Sequence, residues 1–522
     1  VTLTARQARA LALLLAGLVA AWLVVLNFAS LGAVVWRAEG FGGLRPSDWA
    51  AIRFTLLQAL VSALVSVALA VPLARALSRR QFIGRGVLVL LLGAPFILPT
   101  LVAVLGLLAV WGRSGLVSDG LAFAGVGPIS IYGPQGVVLA HVFYNLPLAT
   151  RILMQGWAGI PSERFRLAAS LGLTPAQHFR QLELPMLRDV APGAFVLIFL
   201  ICLTSFSVAL ALGGGPRAST VELAIYQAFR FDNNLGRAAL LAALQFALCG
   251  AAAGLAWRVA LPSGLGGGLD RPVQRFDGGH ARVWDAGVIA LGALFLLVPL
   301  VLVVLRGAPH VTGLPPEVWV ALRRSVTVAL GATGLTLVMA LALAHGVLAL
   351  AGKRGAALEA LGLAALAASP LVVGTGLYLV LRPFVSPRDW ALAVTLLVNA
   401  GMALPFVLRL ILPELRAIAA SHGRLSDALG LHGWARLRLV TLPRLRRPLG
   451  FGTGLTAALS MGDLGVILLF AEREGATLPM VLYRLMTAYR QDDAVGAALV
   501  LLGAALVLFW GFERWGRGHA AS

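Results

Sequence analysis

The chain of 522 residues is 59% hydrophobic and only 12% charged, whereas soluble domains run at about 25% charged and 45–50% apolar. Its mean hydropathy of +0.89 excludes a soluble enzyme, a disordered chain and a secreted disulfide scaffold. The net charge of +20 would suit nucleic acid, but in so apolar a chain it is tested first against membrane topology, because basic residues collect on the cytoplasmic side.

In chain order, apolar runs fall at 10–36, 54–74, 86–112, 134–155, 190–213 and 238–260. A second set falls at 284–305, 325–351, 357–381, 390–413, 448–471 and 494–512. A crossing needs about 20 such residues, so the expected fold is an all-α polytopic membrane protein with about 12 transmembrane helices. The first run follows Arg6 and Arg9. It is too long for a signal-peptide core and no small-residue cleavage site follows, so it reads as a retained helix. With the N-terminus inside, 27 of the 42 basic residues fall on inner segments, against 10 of the 22 acidic ones. The chain is therefore expected N-in and C-in, in contact with lipid and with no nucleic acid. Cys202 and Cys249 lie inside apolar runs and read as small buried hydrophobes, not as a disulfide or metal pair.

The stretch from Leu146 to Arg188 recurs at an offset of 258. Leu146, Pro147 and Arg151 map onto Leu404, Pro405 and Arg409. Arg166, Leu171 and Gly172 map onto Arg424, Leu429 and Gly430, and Leu184, Pro185 and Arg188 onto Leu442, Pro443 and Arg446. Upstream, Pro95 and Thr100 match Pro370 and Thr375 at an offset of 275, the difference being assigned to a longer outer loop at 113–133. Two parallel-repeat halves of six helices follow. They span 1–260 and 284–522 and are joined by a Gly-rich, charged cytoplasmic linker at 261–283.

Each half carries a long inner loop, at 160–188 and at 416–447. In the first, Ser162 is expected to cap a short helix that Gly172 ends in the left-handed conformation. Thr174-Pro175-Ala176-Gln177 then starts a second helix with a capping box, and Pro185 stops it. The second copy keeps Gly430 and Pro443, with His432-Gly433-Trp434 in place of the cap. One such copy reads as an interfacial amphipathic hairpin. Two in register suit a pair of identical partners.

These loops resemble the EAA loop of bacterial ABC-importer permeases. The first copy is Arg166-Leu-Ala-Ala-Ser-Leu-Gly172 with Leu184-Pro185; the second is Arg424-Leu-Ser-Asp-Ala-Leu-Gly430 with Leu442-Pro443. In that family the loop docks in a cleft of the ATPase. The resemblance thus assigns ATPase coupling to Arg166, Ala168, Ala169, Gly172, Leu184 and Pro185. In the second half it assigns it to Arg424, Ser426, Asp427, Gly430, Leu442 and Pro443. Arg166 and Arg424 stand where the family carries an acidic residue. The resemblance also implies two copies of a cytoplasmic ABC ATPase, an extracytoplasmic substrate-binding protein and the bacterial cytoplasmic (inner) membrane. A P-loop needs Gly-Lys-Ser/Thr, and the one lysine, Lys353, is followed by Arg354. ATP and Mg are therefore expected on the partner, with no cofactor, metal or catalytic residue on this transport subunit.

The stretches Ser205-Phe-Ser-Val-Ala-Leu-Ala-Leu-Gly-Gly-Gly-Pro216, Thr220-Val-Glu-Leu-Ala-Ile-Tyr-Gln227 and Ser460-Met-Gly-Asp-Leu-Gly465 are similar to the thiamine importer permease family. That similarity implies thiamine or thiamine pyrophosphate as cargo. The iron(III) importer permeases share the layout and stand as the alternative. Asp463, inside an apolar run, either faces a cavity or serves as a capped helix break or arginine partner. By the repeat it faces Ser205, which gives Thr204, Ser205, Ser207 and Asp463 as a candidate translocation path. The competing reading has the hydroxyls bonding their own backbone. His141 and His345 are assigned to packing or bonding within the bundle, and Tyr144, Asn145 and Asn399 to packing or pore lining. An ion-coupled secondary transporter would also match two six-helix halves, but intramembrane acids and histidines are few. A membrane enzyme would need paired acids or a His-Glu-x-x-His motif, and the chain has neither.

Overall fold

The computed structural model describes residues 4–37, 44–92, 97–215, 218–256, 279–350, 352–364, 369–471 and 475–517. Among these the chain is helical. Eleven helices are long and apolar enough to cross a membrane, with a twelfth, shorter apolar helix. The first half contributes α1 (Arg6–Arg37), α2 (Pro46–Arg79), α3 (Thr100–Ala122), α4 (Pro134–Ala158), α5 (Pro175–Leu203) and α6 (Leu235–Gly254). The second contributes α7 (Ala281–Gly313), α8 (Pro316–Leu350), the short α9 (Pro370–Leu381), α10 (Ala391–Ala428), α11 (Gly433–Phe470) and α12 (Gln491–Arg517). Residues 261–278 of the expected linker at 261–283 lie outside the described residues, and 281–283 already belong to α7.

Four expected spans are not single helices. The run at 86–112 is a short helix, Arg85–Leu91, followed by α3; the run at 357–381 is Gly352–Leu363 followed by α9. The run at 190–213 stops at Leu203 and resumes as Ser207–Leu212, and the run at 448–471 breaks between Gly462 and Gly465. At the break after Leu203, uninterrupted apolar sequence showed no sign because the freed backbone groups are satisfied from other helices. Gln58 of α2 donates to the Cys202 carbonyl at 2.9 Å and Gln245 of α6 to the Leu203 carbonyl at 2.8 Å. A broken helix is tolerated at membrane depth only where protein or a cavity takes over those groups. Downstream of the breaks after Leu203 and Gly462 a further short helix follows, Val221–Arg230 in the first half and Leu478–Thr487 in the second.

The first helix of each half packs on the other half. α1 lies against α8 and α9 as well as α6, and α7 lies against α2 and α3 as well as α12. Glycine sets the closeness of both crossings. A Cβ on Gly376 of α9 would lie within 2.6 Å of Ser30 on α1, and one on Gly106 of α3 would lie 2.8 Å from the Pro299 carbonyl oxygen on α7.

This geometry corrects the upstream register. α2 and α8 begin at Pro46 and Pro316, and α3 and α9 at Thr100 and Pro370, so the offset is 270. Thr100 therefore pairs with Pro370 and not with Thr375, while Pro95 lies outside the described residues. The step between 270 and 258 is taken up by the short helical segment Leu116–Ala122 at the end of α3, which has no counterpart at the end of α9. A signal for this register is present as Pro46-x-x-Trp49-x-Ala51-x-Arg53 and Pro316-x-x-Trp319-x-Ala321-x-Arg323.

Candidate functional site

The inner loops share one backbone geometry. Each loop helix ends in a Schellman motif. In the first, the Gly172 N–H donates to Ala169 at 3.1 Å and the Leu173 N–H to Ala168 at 3.1 Å. In the second, Gly430 donates to Asp427 at 3.1 Å and Leu431 to Ser426 at 2.9 Å. Ala168, Ala169 and Gly172 therefore hold the same motif positions as Ser426, Asp427 and Gly430. Both glycines have φ +66°, and a Cβ on either would touch nothing within 4 Å, so the constraint is on the backbone alone. Thr174 and Gln177 make the expected capping box.

Three details depart from the sequence reading. Ser162 is the first helical residue after Pro161 and makes no capping bond to the backbone; its hydroxyl donates to Glu163 at 3.1 Å. Glu163 also accepts from its own backbone N–H, and these bonds hold its carboxyl below the usual range. Pro185 does not stop the helix. A π-turn at Phe179–Glu183 carries α5 through Leu184 and Pro185, and Leu437–Thr441 does the same ahead of Leu442 and Pro443. The wider i→i+5 turn accommodates the missing proline N–H. Finally, α10 runs unbroken to Ala428, because Ala419 stands where Pro161 separates α4 from the first loop helix.

Buried Phe165 and Ala168 in one loop, and Gly423 and Ser426 in the other, anchor each loop helix. The opposite face shows Arg166, Leu167 and Leu171 in the first copy and Arg424, Leu425 and Leu429 in the second. All four leucines are 58–67% exposed, an i, i+4 apolar pair repeated at the same offset. The anchoring differs between halves. Glu183, fully buried, pairs with Arg75 at 2.6 Å and Arg79 at 2.7 Å on α2, whereas Thr441 fills its place in the second half.

A cavity of about 420 Å³ lies where the halves meet. Both helix breaks border it, so Thr204, Ser205, Ser207 and Asp463 all line its wall, together with His141, Tyr144, Asn145, Asn399 and Arg409. The offset of 258 relates two pairs on its wall, His141 with Asn399 and Ser205 with Asp463, whereas Arg151, the counterpart of Arg409, is not among the lining residues. His141 is buried and bonds within the bundle, as expected, while also bordering the cavity. Its Nε2 lies 2.6 Å from the Ser205 hydroxyl, and its Nδ1 3.4 Å from Ser62. Asn399 donates to the Ser460 hydroxyl at 2.9 Å. Thr204 does bond its own backbone, at Ile201, and His345 bonds Leu341 within α8. Asp463 accepts N–H bonds from Gly465 and Val466 and caps the short helix after the break. Its Oδ2 has no hydrogen-bond partner among the described residues.

Sequence reasoning passed over Glu222. It begins the helix Val221–Arg230, is 1% exposed and borders the same cavity. Its carboxylate accepts a short hydrogen bond from Ser369, the N-cap of α9 in the other half. Its position in a polar stretch between apolar runs made it read as loop.

No family model matches the chain. It is 39% identical over 526 aligned positions to the thiamine transport system permease protein ThiP of Salmonella typhimurium, covering 98% of this chain and 96% of that protein. It is 38% identical to ThiP of Escherichia coli, with 89% of each chain covered. The ThiP of Brucella abortus is 37% identical, with 93% of this chain and 92% of that one covered. Similarity of this extent runs through the loops, the breaks and the cavity alike, and the chain belongs to the thiamine transport system permease family.

Proposed function

We propose that this chain is the membrane subunit of an ATP-driven importer for thiamine or thiamine pyrophosphate, working by alternating access. The relatives named for thiamine transport support the cargo. The observation that carries the coupling is the duplicated loop, with one Schellman geometry and one exposed leucine pair on each copy. Two identical docking faces match two copies of a separate cytoplasmic ATPase, which holds the ATP and Mg. A binding protein delivers cargo at the opposite face. In this reading residues 1–260 and 284–522 are the two halves, both termini lie inside, and the membrane is the bacterial cytoplasmic membrane.

Closure of the ATPases would draw the two loops together and open the cavity away from them; hydrolysis would reset it. Ser205, His141 and Asn399 offer hydrogen bonds to a polar cargo, and Asp463 offers charge to its thiazolium ring.

The test is uptake of labelled thiamine and thiamine pyrophosphate into proteoliposomes holding the chain with its ATPase and binding protein. Uptake should require ATP and should vanish in the Gly172→Val, Gly430→Val double variant while the protein stays inserted. Uptake that follows a proton or sodium gradient without ATP would overturn the reading in favour of a secondary transporter.

A further inference from the structure

The described part of the molecule fully buries four acidic side chains: Asp48, Glu183, Glu222 and Asp285. Three are compensated by arginine. Asp48 meets Arg237, Glu183 meets Arg75 and Arg79, and Asp285 meets Arg80 at 2.7 Å. Such pairing is the rule, since an unpaired charge removed from water is costly. Glu222 is the exception. Among the described residues no basic side chain pairs with it, and it borders the central cavity. Its bonded partner is the Ser369 hydroxyl of the other half.

That bond has a mechanical consequence. Glu222 sits in the first turn of the helix Val221–Arg230, and Ser369 accepts N–H bonds from Leu371 and Val372 at the start of α9. The contact therefore ties a helix end of one half to a helix end of the other at the cavity edge. Moving the halves apart there breaks it and strips the carboxylate of its one donor. The equivalent position in the second half is Pro479, which carries no charge, so this contact has no counterpart there.

We propose that Glu222 is a charge-recognising gate residue: Ser369 holds its carboxylate while the cavity is empty, and a cationic ring of the cargo takes it over as the halves part. The proposal rests on the thiamine reading above. A thiazolium brings the compensation that the protein itself withholds, so the gate opens at least cost when the right charge is present. A neutral molecule of the same shape opens the gate without that compensation.

The experiment compares uptake of thiamine with uptake of its neutral thiophene analogue, in which carbon replaces the thiazolium nitrogen, in the reconstituted complex at saturating binding protein. Glu222→Gln keeps the size and the hydrogen bond to Ser369 but removes the charge. It should lower thiamine uptake by about tenfold, the weight of one charge-assisted contact, and leave analogue uptake unchanged. Ser369→Ala should raise ATP hydrolysis in the absence of binding protein, and Ser369→Thr should restore the low rate. Thiamine uptake by Glu222→Gln equal to wild type, or an equal loss for both compounds, would overturn charge recognition. Unchanged hydrolysis in Ser369→Ala would overturn the latch. Failure of the wild-type complex to carry either compound would remove the thiamine reading and this proposal with it.

Discussion

Thr55 and Ser325 occupy one and the same place in the two halves. The Thr55 hydroxyl accepts the Val221 N–H at 2.9 Å, and the Ser325 hydroxyl accepts the Leu478 N–H at 2.8 Å. Each hydroxyl caps, from a neighbouring spanning helix, the first turn of the short helix that follows a broken span. Both groups are buried, so water cannot replace the lost acceptor. Thr55→Val and Ser325→Ala should each destabilise the protein by about 1–3 kcal/mol, the cost of a buried N–H left unsatisfied. Thermal unfolding in detergent would measure this, and an unshifted midpoint would refute the capping role.

The crossings at Gly376 and Gly106 predict graded damage. A methyl group at Gly376 meets both backbone and side chain of Ser30, whereas one at Gly106 meets chiefly the Pro299 carbonyl. Gly376→Ala should cost about 1–3 kcal/mol through overpacking, and Gly106→Ala should cost less. Unfolding midpoints of the two variants give the order. A reversed order would show that α1 yields more easily than α7.

The exposed leucines of the loops should matter for partnership and not for folding. Replacing Leu167, Leu171, Leu425 and Leu429 by serine removes apolar surface that is already in water, so the unfolding midpoint should hold. If the ATPase covers them, each loses about 1.5–3 kcal/mol of burial, enough to abolish co-purification of the ATPase. Co-purification of the quadruple variant at wild-type yield would exclude these faces as the docking surface.

Glu183 makes the two loops unequal. Glu183→Gln leaves Arg75 and Arg79 facing a neutral group in a buried site, a change that costs about 3–5 kcal/mol when one partner of a buried pair is removed. Thr441→Val in the other half removes no charge and should cost far less. Hydrogen exchange should show faster opening of 175–188 in Glu183→Gln alone. Equal exchange in both loops would mean the ion pairs do not hold the first one.

Hydropathy alone gave the class of the molecule, and the internal repeat pointed to two equivalent halves. A hydropathic chain cannot leave its backbone groups unbonded in lipid, so twelve apolar runs imply helices. A repeat at constant offset then gave Ser205 and Asp463 corresponding positions, and both line one cavity. The Schellman residues were also legible, because only glycine enters the left-handed conformation freely, and Gly172 and Gly430 announce it. The break after Leu203 depends on packing that sequence does not display, since Gln58 and Gln245 reach Cys202 and Leu203 from helices distant in sequence. The tertiary structure also decided that α1 and α7 lie across on the opposite halves, for hydropathy says that a face is buried but not against what. Glu222 was invisible for the same reason. A carboxylate in a polar stretch reads as solvated, and its burial against Ser369 exists only once the two halves are brought together.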